Sequence, residues 1–88
     1  MKVETKQQVL NRLRRIEGQV RGLQKMVEEG TYCVDVITQT SAVKRALSSV
    51  EDVLLEGHLS SCVVDQIKQG KQDKATAEIL KVYALKRV

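Results

Sequence analysis

The stretch "VITQTSAVKRALSSVEDVLLEGHLSSCVVDQI", residues 36–67, is apolar on two faces and free of proline. Along it Val36, Thr40, Val43, Leu47, Val50 and Leu54 recur at alternating steps of four and three, which lines one stripe of a helix. Behind that stripe lie Ile37, Ala42, Ala46 and Val53. Gly57 disfavours a helix by only about 1 kcal/mol relative to alanine. The apolar pattern resumes beyond it through Leu59, Val63, Val64 and Ile67 with no polar linker. The spacing therefore predicts one helix, capped near Thr31 and stopped at Gly70, of about 38 residues and about 57 Å at the helical rise.

Two further helices flank this one. Val9, Leu13, Ile16, Val20, Leu23 and Val27 form a stripe of the same kind that ends at Gly30. A third segment from about Lys71 to Lys86 puts Ala75, Ile79, Val82 and Tyr83 on one side. The chain has 88 residues, 42% of them hydrophobic, with no phenylalanine or tryptophan and no internal repeat. It reads as all-α: one small three-helix domain covering residues 1–88 and packed by aliphatic seams. A second helix that long cannot be covered by one partner helix and a short third one. Its two apolar faces point to a dimer or a dimer of dimers, with a monomeric bundle containing a bent second helix as the alternative.

No apolar run approaches the roughly 20 residues that span a bilayer, and "MKVETKQQ" lacks a signal-peptide core. The expectation is a cytoplasmic protein without a membrane partner, whose two cysteines are reduced thiols available to a metal or to redox chemistry. A net charge of +4 permits a nucleic-acid partner without requiring one.

Cys33, His58 and Cys62 are all the soft ligands the chain owns. His58 and Cys62 stand at i and i+4, on one face of a helix, where they can grip one ion. The bland alternative makes Cys62 a small buried hydrophobe and His58 a surface residue. Two thiolates and one imidazole suit Cu(I), whereas structural zinc usually completes four protein ligands. Cys33 and His58 are about 37 Å apart along one straight helix. If the three form one site, two antiparallel copies of the second helix must supply it, Cys33 from one chain and His58 with Cys62 from the other.

A basic constellation lies elsewhere. "NRLRRIEGQVRGLQK", residues 11–25, carries Arg12, Arg14, Arg15, Arg21 and Lys25 off its apolar stripe, and Lys44 and Arg45 follow on the second helix. Arginines so placed can reach phosphates bidentately while the apolar side packs. The alternative is a solvated face with an i,i+4 pair from Glu17 to Arg21. With only Tyr32 and Tyr83 as aromatics there is no stacking platform. A nucleic-acid partner would be duplex DNA, held through backbone and groove contacts.

The run "RLRRIEGQVRGLQKMVEEGTYCVDVITQTSAVKRAL", followed by "GHLSSC", resembles the CsoR/RcnR family of small all-helical bacterial metal- and sulfur-responsive repressors. The resemblance extends from about Lys6 to Tyr83, and "RIEGQVRG" and the Tyr-Cys pair are its most specific elements. It implies a three-helix protomer, an antiparallel dimer on the long second helix, and a disc-shaped tetramer whose basic face holds double-stranded operator DNA until an inducer binds.

The resemblance also implies the inducer. Copper sensors of the family look like the Cys33, His58, Cys62 set, with one Cu(I) per protomer, and a tyrosine and a third-helix glutamate beside the histidine match Tyr32 and Glu78. Arg12, Arg14, Arg15, Arg21, Lys44 and Arg45 are then the DNA-facing candidates. The expected function is a repressor released from DNA by Cu(I), relieving copper export or buffering genes. It is not an enzyme and takes no small-molecule substrate. The alternative within the family is a persulfide or polysulfide sensor using Cys33 and Cys62, against which His58 argues. A thiol oxidoreductase is disfavoured by the lack of a C-x-x-C motif, and a purely structural association module would bind neither metal nor DNA.

Overall fold

The computed structural model describes residues 1–87 and is helical throughout, with no strand among them; Val88, the last position of the expected domain, lies outside the described residues. Helix α1 spans Val3–Glu28 and α2 spans Cys33–Gly57. A π-helical turn, His58–Cys62, leads into α3, Val63–Lys68, and α4 covers Gln72–Lys86. Among the described residues no helix is long and apolar enough to cross a membrane.

Both predicted glycine stops hold, for a conformational reason. Gly30 and Gly70 have φ of 69° and 76°, the left-handed region that only glycine enters without a Cβ penalty. Each closes a Schellman cap. At the first, the Thr31 amide donates to the Met26 carbonyl at 2.9 Å and Gly30 to Val27 at 3.1 Å. At the second, Lys71 donates to Gln66 at 2.7 Å and Gly70 to Ile67 at 3.0 Å.

Gly57 is internal, as expected. Its φ of −63° and ψ of −38° are ordinary right-handed helix, so the backbone runs helical from Cys33 to Lys68. Two details differ from the sequence reading. The cap of α2 is Tyr32, whose carbonyl accepts the Asp35 and Val36 amides at 3.0 and 3.2 Å, because the Schellman closure at Gly30 consumes Thr31. The expected uniform second helix also widens for one turn at His58–Cys62, where the Val63 amide reaches the His58 carbonyl five residues back.

The described chain divides into two compact units, Met1–Leu55 and a second beginning at Glu56. In the first, α1 folds back along α2, and Val9, Ile16, Val43 and Val50 form the core with Leu23, Ala46, Val53 and Leu54 packed on it. In the second, α3 packs on α4 around Val63 and Ala75. Both cores are thin. Val27 of the first stripe and Tyr83 of the third remain 66% and 61% exposed, since one chain offers them no facing surface.

Candidate metal centre and basic cleft

The second unit brings together the candidate ligands His58 and Cys62. The π turn presents His58 and Cys62 four positions apart, and Cys62 is a free, exposed thiol. Gly57, which begins this turn, has a carbonyl that accepts the Ser61 hydroxyl at 3.0 Å and the Ser60 hydroxyl at 3.3 Å. Single π turns inside α-helices concentrate at functional sites because they re-aim side chains without ending the helix.

His58 Nε2 stands 3.4 Å from Oε2 of Glu78, which α4 supplies. The two side chains are 31% and 39% exposed. A carboxylate can only accept, so Glu78 at this distance favours a ring that carries a proton on Nε2, which leaves Nδ1 facing away from it. This is how a partner on the far nitrogen orients an imidazole for a metal. One imidazole presenting Nδ1 beside one exposed thiol fits a soft cation, as the donor set alone suggested.

Tyr32 and Cys33 belong to the first unit, at the start of α2. Tyr32 is 69% exposed, and Cys33 is likewise a free, exposed thiol. Among the described residues no three His, Cys, Asp or Glu side chains of one chain come together as a metal-binding group. Among the described residues His58 and Cys62 therefore share one turn of the second unit, while Cys33 belongs to the first.

The first unit holds the basic residues. Arg12 and Arg15 line a cleft of about 330 Å³ with Ile16, Gln19, Ala46 and Ser49, and Arg12 Nη1 donates to the Ser49 hydroxyl across it. Arg21 pairs with Glu17 at 2.9 Å, the i,i+4 pair expected for a solvated face, with side chains 65% and 69% exposed. Arg14 reaches Asn11 Oδ1 at 3.4 Å, Lys25 reaches Glu29 at 3.9 Å, and Lys44 and Arg45 are exposed on α2. The structure thus gathers Arg12 and Arg15 and leaves Arg14, Arg21, Lys44 and Arg45 outside that cleft's lining.

Sequence reasoning missed Ser49, Gln19 and Gln66. Ser49 interrupts the secondary apolar row of Ala42, Ala46 and Val53, which was a readable signal. Gln66 donates through Nε2 to Glu78 Oε2 at 3.3 Å. It gave no signal, because its relation to His58 depends on the π turn.

The chain is similar to known proteins along most of its length. Residues 5–84 match the family model for metal-sensitive transcriptional repressors. The chain is 53% identical over 78 residues to the copper-sensing transcriptional repressor CsoR of Bacillus subtilis (strain 168), covering 89% of this chain and 77% of that one. It is 52% identical over 67 residues to the copper-sensing repressor RicR of Mycobacterium tuberculosis, covering 76% and 70%. The crystal structure of the copper-sensing repressor CsoR with Cu(I) from Geobacillus thermodenitrificans NG80-2 superposes with a TM-score of 0.91 at 40% identity, covering 100% of this chain and 92% of that one. The nickel-responsive regulator InrS gives a TM-score of 0.75 at 37% identity, over 92% and 89% of the two chains. With residues 5–84 matched by the family model and 53% identity to a copper-sensing repressor over 89% of its length, this chain belongs to the metal-sensitive transcriptional repressor family.

Proposed function

We propose that this chain is a Cu(I)-responsive repressor that binds operator DNA when metal-free and leaves it when Cu(I) binds. The genes so relieved serve copper export or buffering, and the protein works in the cytoplasm, with residues 1–88 acting as one functional domain. The observation that carries the reading is the His58–Glu78 pairing beside Cys62. It selects the tautomer and presents Nδ1 and a thiol to a soft ion.

The ligands proposed are Cys33 from one protomer and His58 with Cys62 from its partner, with one Cu(I) per protomer. Tyr32 and Glu78 orient the histidine. Exposed apolar side chains support self-association into an antiparallel dimer and a tetramer. Ile37 and Leu47 on α2, at 66% and 44% exposure, and Ile67 and Leu80 beyond it, at 55% and 61%, leave more apolar surface open than an isolated small domain keeps. Arg12 and Arg15, with Arg14, Arg21, Lys44 and Arg45, form the face toward DNA phosphates and grooves.

Release follows from linkage. A metal that weakens DNA binding is itself held more weakly by the DNA complex, with a coupling typically of 1–3 kcal/mol. His58 favours this reading over a persulfide sensor working through Cys33 and Cys62 alone. In the test, Cu(I) is titrated anaerobically into the protein bound to its own promoter, with DNA anisotropy as readout. Release is complete near one ion per chain, and Cys33→Ala abolishes it. Release that persists in that variant refutes the ligand assignment, while release by polysulfide but not by Cu(I) favours the sulfur sensor.

A further inference from the structure

We propose that Gln66 is a positioning residue of the metal centre, acting through Glu78 to orient the His58 imidazole. The inference deepens the proposed function and rests on it for the role of His58. Three elements converge on one atom: Gln66 Nε2 from α3 donates to Oε2 of Glu78 on α4 at 3.3 Å, and His58 Nε2 from the π turn lies 3.4 Å from the same oxygen. A glutamate side chain that is 39% exposed has several rotamers open to solvent. A second donor from a packed helix removes that freedom and fixes where the carboxylate waits for the histidine.

The amide is oriented unambiguously. Turned over, it would set Oε1 against a carboxylate oxygen, two acceptors with no proton between them. In the orientation found, Oε1 is buried without a partner. Leaving a polar atom so is unfavourable, and a residue serving the α3–α4 packing alone would do better as an aliphatic one. The amide fits this position for what its other end does.

The π turn explains how Gln66 comes to serve His58. In a regular α-helix, eight positions of advance carry a side chain about 80° away from its starting face. One wide turn absorbs about one residue, so the eight positions from His58 to Gln66 advance roughly as seven would, within about 20° of two full turns. Gln66 therefore lies beneath His58 on the same face and reaches the same carboxylate.

The test uses the fact that His58 is the sole histidine of the chain, so its ring nitrogens give the only imidazole signals. In the metal-free wild-type protein at mildly alkaline pH, long-range 15N NMR shows the tautomer with the proton on Nε2 predominating. Gln66→Met, which keeps the bulk and removes the donor, moves the ring toward a mixture of both tautomers. In the same variant Cu(I) affinity, measured in competition with a chromogenic chelator, falls roughly 3- to 10-fold, below the 10- to 100-fold typical of a residue that touches the ligand directly. An unchanged tautomer ratio overturns the proposal whether or not affinity moves, since any affinity change then reflects packing. Should the variant not fold, nuclear Overhauser contacts in the wild-type protein decide: contacts between the Gln66 amide protons and the Glu78 side chain support the assignment, and their absence overturns it. Because the tautomer is read without metal, wild-type protein that ignores Cu(I) refutes the proposed function and not the role of Gln66.

Discussion

The two cysteines are alike in chemistry and opposite in setting. Both are free and exposed. Cys62 sits on a turn with a histidine whose Nε2 lies 3.4 Å from Glu78, and a glutamine donates to that same carboxylate at 3.3 Å. Cys33 opens α2 in the other unit, one residue after the Tyr32 cap, and the described residues gather no metal-binding group around it. Of the two thiols, one stands beside a histidine and its carboxylate neighbour, and the other is exposed at a helix start. That asymmetry is what the proposed ligand set, shared between two copies of one chain, predicts.

Mixing variants breaks or sharpens this contrast with the largest effect. Cys33→Ala and Cys62→Ala homo-oligomers each lack a ligand in every site and are expected to show no Cu(I)-triggered release. Unfolded and refolded together, they form mixed dimers in which one site keeps both cysteines and the other loses both. The mixture is expected to recover Cu(I) binding at one ion per mixed dimer, counted by chelator competition. If it recovers nothing, Cys33 and Cys62 act within the same chain and the two-copy arrangement fails.

How far the residues announced this arrangement depends on the physics of each feature. Gly30 and Gly70 were readable because a helix stop with positive φ admits little else, and the Schellman bonds follow from that one choice. The buried positions Val9, Ile16, Val43 and Val50 fall on the two heptad-like stripes that the spacing marked. Glu78 stands 3.4 Å from His58 Nε2, although nothing about Glu78 in isolation sets it apart from an ordinary helix glutamate. The π turn was invisible, since periodicity arguments assume 3.6 residues per turn and a single wider turn costs the pattern only one position. Gln66 was hidden with it. Arg12 was visible as a basic residue, but its hydrogen bond to Ser49 depends on how two helices pack.

A smaller effect separates the two regions by function. Arg12→Ala removes one cation from the cleft shared with Arg15. It is expected to weaken DNA binding of the metal-free protein several-fold on any sequence and to lower the slope of log K against log salt by about 1, the signature of one lost phosphate contact. Cu(I) affinity without DNA stays at the wild-type value, because the cleft and the π turn belong to different units. A salt slope that does not change would assign Arg12 to tying α1 to Ser49 and not to DNA.

The smallest expected effect tests whether the π turn is held in place or merely tolerated. Thr38 and Ser61 make the same local bond, a hydroxyl donating four residues back, at 2.8 Å to Val34 and 3.0 Å to Gly57. Their settings differ. The Val34 carbonyl lies in regular α-helix, where the amide four residues on already supplies its partner, so the Thr38 hydroxyl adds a second and dispensable one. At the π turn the amide ladder shifts to a spacing of five, and the Ser61 hydroxyl reaches the carbonyl that its own amide would take in an α-helix. Ser61→Ala removes the shorter of two hydroxyl bonds to that carbonyl and leaves the Ser60 hydroxyl at 3.3 Å, so it is expected to lower stability by about 0.5–1 kcal/mol, a fall of roughly 2–8 °C in Tm for a domain of this size. Thr38→Ala is expected to be neutral or slightly stabilising, since alanine is the better helix former. Thermal unfolding of the two variants side by side checks this. Equal shifts would mean that the π turn needs no hydroxyl to hold it and that the backbone and packing around Val63 suffice.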